Sequence, residues 1–327
     1  MMIYGAPKFH LFKTSLYDYY WRFACERQTA FFKRNILHQS APWTNDTILQ
    51  KYKFTNVYRV NDRVTQFLIG HILYGDDCKN YDEEDTVLRV LLFKIFNKIE
   101  TWEKIEQDIG NVYMRKGILE DVSCVLKELV ERQAKIYSNA YIMPSGVSVW
   151  GHRKKYLNHL QLLKMMLKDN IVYKIMACRN MKTLYNLLLR YPTIGSFLAY
   201  QYATDLNYSE IVNFSEMEFV IPGPGAISGL NKCFQGISRD YYPQIIYWMA
   251  EHQEMEFTRL GLNFRKLGNR PLQLIDCQNI FCEFDKYSRV AFPEYNKNSG
   301  RTRIKMHFHE NRTPIHFCYP PKWGICL

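Results

Sequence analysis

LYNLLLRYPTIGSFLAYQYATDLNY, residues 184–208, is the stretch whose reading decides the fold. An apolar helical run from Leu184 to Leu189 meets the turn Pro192-Thr193-Ile194-Gly195, and a second helical run follows from Phe197 to Ala203. A Pro-x-x-Gly break between two such runs predicts two packed helices joined by a tight turn. Gly195 is expected to let the backbone turn and to leave amide N–H groups open at the start of the second helix. That is the geometry of a helix-hairpin-helix, whose turn holds a DNA phosphate through backbone amides and the helix N-terminus. An ordinary core hairpin carries the same signature.

Outward from the hairpin the pattern stays helical. Val64, Phe67, Leu68, His71 and Ile72 recur at spacings of three and four, as do Val87, Val90, Leu91, Lys94 and Ile95, and then Ile118, Val122, Val125, Leu126 and Leu129. Asp76-Asp77 and Asp82 to Asp85 form an acidic loop before the second of these runs, with Asp85 as the expected helix cap. Helices are expected again over 153–189, 243–267 and 272–287. The expected fold class is mainly α. Residues 1–50 would be an aromatic and basic helical extension, 51–290 a helical domain with its hairpin near 184–204, and 291–327 a loop-rich tail. In the extension, Tyr17, Tyr19, Tyr20, Trp21 and Phe23 interleave with Arg22, Arg27, Lys33 and Arg34. Such a helix either packs its rings on a core or stacks them on bases.

The 327 residues are 47% hydrophobic and 15% aromatic, which fits a folded chain with a sizeable core. No apolar run reaches the roughly 18 residues of a membrane span, and the N-terminus lacks the apolar core of a signal peptide. A net charge of +11 favours a polyanionic partner, DNA foremost. The nine cysteines include no CxxC pair, which suits a reduced, intracellular protein without structural zinc. His307, His309 and His316 have weak metal-ligand spacing; an exposed polar tail strand explains them more simply.

Several constellations can carry chemistry. In FTNVYRVNDR, residues 54–63, Arg59 and Arg63 stand four apart and would share a helix face as a phosphate or pyrophosphate clamp, with Asp62 to orient one of them. Gln201 and Asp205 lie one turn apart just past the hairpin. Asp276, Asn279 and Glu283 make an acidic and amide stripe, either a solvated face or a general base and magnesium set. Cys282 is a buried structural thiol or a thiolate. FVIPGPGA, residues 219–226, places Gly223 and Gly225 in a loop that is either a rigid connector or a phosphate cradle. No GxxxxGK[ST] occurs, so nucleotide hydrolysis by that route is not expected.

FTNVYRVNDRVTQ (54–66), LFKIFNKIETWE (92–103), YPTIGSFLAYQYATDLNYS (191–209), FVIPGPGA and DCQNIFCEFDKYSR (276–289) resemble, in this order, the helical domain associated with 5-hydroxymethyluridine DNA kinases. The same domain occurs in the alpha-glutamyl/putrescinyl thymine pyrophosphorylases. The resemblance covers about residues 50–290 and implies a divergent helix-hairpin-helix DNA glycosylase-like helical bundle, tied to phage thymine hypermodification. It departs from glycosylases of that fold, since Phe197 stands where lyases carry Lys, and Ser215 where a catalytic Asp is usual.

The expected activity is that of a DNA transferase which displaces pyrophosphate from pyrophosphorylated 5-hydroxymethyluracil with an amine or amino acid. Its partners would be DNA carrying modified thymine, the amine and a separate DNA kinase. It would act inside a bacterium or phage-infected cell, or in a nucleus. From residue chemistry, Arg59 and Arg63 with Gly223 and Gly225 would hold pyrophosphate. Asp205, Asp276 or Glu283 would deprotonate the amine or hold Mg²⁺. Gln201, Gln278 and Asn279 would read a flipped base, with Asn56, Gly195 and Lys286 as further DNA contacts. A glycosylase excising a modified pyrimidine, and a non-catalytic DNA-binding module, are the alternatives.

Overall fold

The structure is a computed structural model that describes residues 11–75, 80–296, 301–311 and 313–325. Asp76, Asp77, Cys78 and Cys326 lie outside the described residues, as do residues 1–10 of the N-terminal extension. The elements begin with β1 (Phe12–Lys13), α1 (Tyr17–Asn35), α2 (Thr47–Lys51), α3 (Arg63–Phe67), α4 (Glu83–Phe96), α5 (Ile99–Ile109) and α6 (Ile118–Glu131). They continue with α7 (Val147–Trp150), α8 (Lys155–Lys168), α9 (Ile171–Met176), α10 (Met181–Leu189), α11 (Ser196–Leu206) and α12 (Pro224–Cys233). β2 (Phe234–Gln235), α13 (Tyr242–Glu251), α14 (Gln253–Arg259) and α15 (Leu274–Ala291) complete the order. The protein is mainly helical, and β1 and β2 pair antiparallel through Phe12–Gln235 and Lys13–Phe234.

The chain forms two compact units: Met1–Asp62 with Glu216–Ile315 and Trp323–Leu327, and Arg63–Ser215 with His316–Lys322. The first is built around α15, on which α1, α2, α12 and α13 pack. The rings of α1 turn inward: Tyr20 meets Phe281 at 4.4 Å and Phe23 meets Tyr287 at 5.2 Å between centroids. Tyr17, Tyr20, Trp21 and Phe23 are buried while Tyr19 and Arg22 are exposed, so α1 packs four of these five rings on the core. Each such buried ring contributes about 1.5–3 kcal/mol of apolar burial.

Helix α12 approaches α15 closely because two glycines face it. A Cβ on Gly225 would collide with Sγ of Cys282, and one on Gly229 with the carbonyl oxygen of Phe281. Expected helix over 243–267 stops at Arg259, where Gly261 takes φ +63° and turns the chain.

The second unit is built around α4, buried from Val87 to Phe96. Asp82, not Asp85, is its N-cap; Asp85 stands at the third helical position and returns the bond to the Asp82 amide, a reciprocal capping box. Asn97 ends the helix in the left-handed conformation at φ 49°. The expected hairpin is present as α10 and α11, packed together. Its turn is not made by Gly195, which is extended at φ −79°, ψ 173° and has open space where a side chain would stand. Thr193 carries the left-handed residue, at φ 68°. Gly195 instead precedes α11 as an N-cap without a capping side chain.

Candidate functional site

The polar stripe of α15 is not a solvated face. It anchors the loop between α2 and the end of the first unit's N-terminal segment, residues 54–62. Asp276 accepts the amide of Arg59 at 2.8 Å on one oxygen and the amide of Gln273 at 3.0 Å on the other. One turn on, Asn279 donates to Thr55 Oγ1 at 3.0 Å and to the Asn56 carbonyl at 3.1 Å. A further turn on, Glu283 accepts the Thr55 amide at 3.0 Å and pairs with Lys286 at 2.6 Å. The spacing of three and four is what lets one helix face meet successive residues of an extended loop.

The loop is braced from within and from α1. Asp62 accepts the Asn56 amide at 2.9 Å, and the Asn56 side chain donates to the Asn61 carbonyl at 2.8 Å. Arg27 donates to the carbonyls of Phe54 and Thr55 at 3.3 and 3.1 Å. Two regions flagged separately in the sequence, 54–63 and 276–286, therefore form one polar centre.

Its electrostatics are unusual for carboxylates. Burial pushes the Asp276 carboxyl up to about 7, although the amides of Gln273 and Arg59 favour its charged form. Burial likewise raises Asp62 to about 6, with the nearby Glu283 charge adding to it against the Asn56 amide. Asp276 is only 4% exposed, with both oxygens engaged; Asp62 is half-buried. An acid poised near neutrality, beside amides and cations, is suited to proton transfer. Asp62, given only an orienting role in the sequence, is the more exposed of these two raised carboxyls and accepts the Asn56 amide on one oxygen.

Other expected site residues fall elsewhere. Arg59 and Arg63 do not share a helix face. Arg59 begins a 3₁₀ turn, Arg59–Asn61; Asp62 is extended at ψ 137°, and Arg63 opens α3. The extended residue breaks the helical phase, and the Arg59 side chain is buried at 2% exposure, so the two-arginine clamp is not built. Gly223 caps α12, but Gly225 lies inside that helix and serves its packing on Cys282. Burial pushes the Cys282 thiol up to about 12, which keeps it protonated. Gln278 is buried on α15, about 100° around the helix from Asn279.

Gln201 and Asp205 are both buried on α11 in the second unit, and Asp205 pairs with Lys94 of α4 at 2.5 Å. The Lys94 ammonium also lies 3.9 Å from the centroid of Tyr141. Lys94 stood on an apolar periodic face in the sequence, and a lysine there is the signal of a buried pair. A cavity of about 450 Å³ in this unit is lined by Tyr74, Tyr81, Asp82, Glu83 and Glu210 among others, none of them an expected site residue. Among the described residues no three His, Cys, Asp or Glu side chains gather as a metal would need. His307 is exposed on the tail, opposite Tyr52 in an isolated antiparallel bridge. Among them, too, no helix is long and apolar enough to cross a membrane.

A helical architecture with a buried, carboxylate-anchored loop defines the class. The chain belongs to the family of the 5-hmdU DNA kinase helical domain, whose model matches residues 14–297. It is 23% identical over 287 residues to a 5-hmdU DNA kinase of Bacillus phage SP10; the match covers 84% of this chain and 45% of that protein. The chain thus spans about half the length of this relative. No solved structure matches it.

Proposed function

We propose that this protein acts in thymine hypermodification of DNA, replacing the pyrophosphate of pyrophosphorylated 5-hydroxymethyluracil with an amine or amino acid. The observation that carries the reading is the family match over residues 14–297, which takes in the loop 54–62, the helix α15 and the α10–α11 hairpin. The match concerns a domain of kinases that act, by name, on 5-hmdU in DNA. A separate kinase would supply the pyrophosphorylated base.

The target base would be flipped from the duplex, because its 5-substituent must be reached by a second reactant. The amine nitrogen bonds to the 5-methylene carbon as the carbon–oxygen bond to pyrophosphate breaks. Pyrophosphate leaves with the electron pair, and the nitrogen gives up a proton. Asp62, held near 6, takes that proton. Lys286, beside Glu283 and partly open to solvent, and Arg27 offset the charge that develops on the leaving group. The α10–α11 turn would contact the DNA backbone in the manner of a helix-hairpin-helix in a glycosylase-like fold.

The test is mass spectrometry of nucleosides digested from pyrophosphorylated 5-hydroxymethyluracil DNA incubated with the protein and a pool of amines and amino acids. A thymidine carrying an amine adduct is expected, with turnover reduced about 10²–10⁴-fold in Asp62→Asn. Free base with abasic sites would assign a glycosylase instead. An unchanged digest with DNA binding intact would assign a non-catalytic module.

A further inference from the structure

Residues 301–309, RTRIKMHFH, lie beyond the stretch matched by the family model. Every second residue, Arg301, Arg303, Lys305, His307 and His309, is basic, and all five are exposed. Between them Ile304 is buried and Phe308 half-buried, while Thr302 and Met306 are exposed. Glu310 is the one carboxylate among the described residues from 301 to 311.

This segment is held in place. The Met306 carbonyl accepts the Lys53 amide and the Phe308 amide donates to the Lys51 carbonyl, each at 3.0 Å, on either side of the Tyr52–His307 bridge. The Arg34 guanidinium of α1 lies 4.8 Å from the Trp43 ring and 5.6 Å from the Phe308 ring, and donates to the Asn311 carbonyl at 2.8 Å. Exposed Lys51 and Lys53 on the paired segment add to the positive charge.

We propose that Arg301, Arg303, Lys305, His307 and His309, presented on one anchored, extended segment, form a ribbon that tracks the phosphate backbone of DNA. Alternate residues of an extended chain repeat every ~6.6 Å. Successive phosphates of one duplex strand advance ~3.4 Å along the axis and are displaced around it as well, so basic side chains at this repeat follow neighbouring phosphates along the strand. An anionic membrane surface fits less well, because of the segment's apolar side chains only Met306 is exposed, while Ile304 and Phe308 are turned into the protein, which leaves one side chain to insert among lipids. The contacts are to phosphate, so they position DNA without reading its sequence. The assignment stands whether or not the protein transfers an amine.

The experiment is the salt dependence of binding of the full chain to a labelled duplex. Each phosphate contact contributes about 0.9 to the slope of log K against log salt. The variant R301Q/R303Q/K305Q is expected to lower the slope by about 2–3, and the single R303Q by about 1. A control with the same charge change at exposed residues of the other unit, K116Q/K127Q/K135Q, is expected to keep the wild-type slope. An unchanged slope in both ribbon variants overturns the proposal. So does an equal fall in the control, which would reduce the effect to net charge. A loss of binding confined to phosphatidylserine vesicles, with the DNA slope intact, overturns it in favour of a membrane.

Discussion

The two central helices, α4 and α15, bury charge in opposite ways. Helix α4 carries buried basic side chains, Arg89 and Lys94; α15 carries buried carboxyls, Asp276, Glu283 and Asp285. On α4, Lys94 is met by a full opposite charge, Asp205, and by the face of Tyr141. Arg89 donates to the carbonyls of Ile72 and Val112 at 3.2 and 3.1 Å. On α15, Asp285 is met by Lys232 at 3.0 Å and held below the usual carboxylate range, its own burial notwithstanding, by Arg289, Ser228 and Lys232. Asp276 is hydrogen-bonded by backbone amides, and its carboxyl rises. Dipoles therefore suffice to hold a carboxyl in place but not to keep it charged. Charge partners build rigid pairs, while amide partners leave a proton within reach at neutral pH.

That contrast breaks most severely at Lys94. Lys94→Met leaves Asp205 buried without its ammonium and is expected to cost about 3–5 kcal/mol in chemical denaturation. Lys94→Met with Asp205→Leu should recover most of the loss. If the double variant is no more stable than the single, Asp205 is not held chiefly by Lys94.

Gly229→Ala tests how firmly α15 is fixed on the side away from the loop. The added methyl meets a main-chain carbonyl that cannot rotate away, so a loss of about 1–3 kcal/mol is expected. Gly225→Ala meets the Cys282 side chain and should cost less, with Cys282→Ala restoring the room. Equal losses at the two glycines would mean that the backbone yields as easily as a side chain.

The amide-held carboxyls give a pH dependence with an unfamiliar sign. Asp276 and Asp62 keep protons in the folded state, up to about 7 and about 6, that the unfolded chain has lost. The folded state therefore binds more protons than the unfolded state between the ordinary aspartate value and those values, and stability falls as pH rises through that window. Between pH 5 and 8 the wild type should lose on the order of 2 kcal/mol more than Asp276→Asn, since a tenfold difference in proton affinity between the two states is worth ~1.4 kcal/mol. Parallel pH profiles for the two proteins would show that the loop amides already keep Asp276 charged.

The smallest effect is expected at the hairpin. Thr193 holds a left-handed conformation that a β-branched residue adopts at a cost, so Thr193→Gly should gain up to about 1 kcal/mol. Gly195→Ala, with open space and an ordinary φ, should change stability by no more than about 0.5 kcal/mol. A large loss at Gly195 would return the turn to the glycine.

Most of the helices were legible because burial imposes a periodicity that a sequence records. The apolar faces of α4, α6, α10, α11 and α15 could be read residue by residue, and Asp276, Asn279 and Glu283 could be placed on one face of α15. Local conformations were less legible: a proline and a glycine mark the hairpin, yet Thr193 takes the strained residue, because several backbones satisfy the same four-residue signature. The spacing of Arg59 and Arg63 matched a helix turn, and one extended residue between them undid it.

The sequence by itself determined the helical class, the positions of the hairpin and the polar stripe, and the basic character of the chain, since composition and periodicity are properties of neighbours along the chain. Only the tertiary structure decided what the stripe holds. Asp276 meets Arg59, and Glu283 meets Thr55, across more than two hundred residues. The proton affinity of a carboxyl depends on the solvent and the dipoles that folding brings around it, and no spacing in the sequence encodes them.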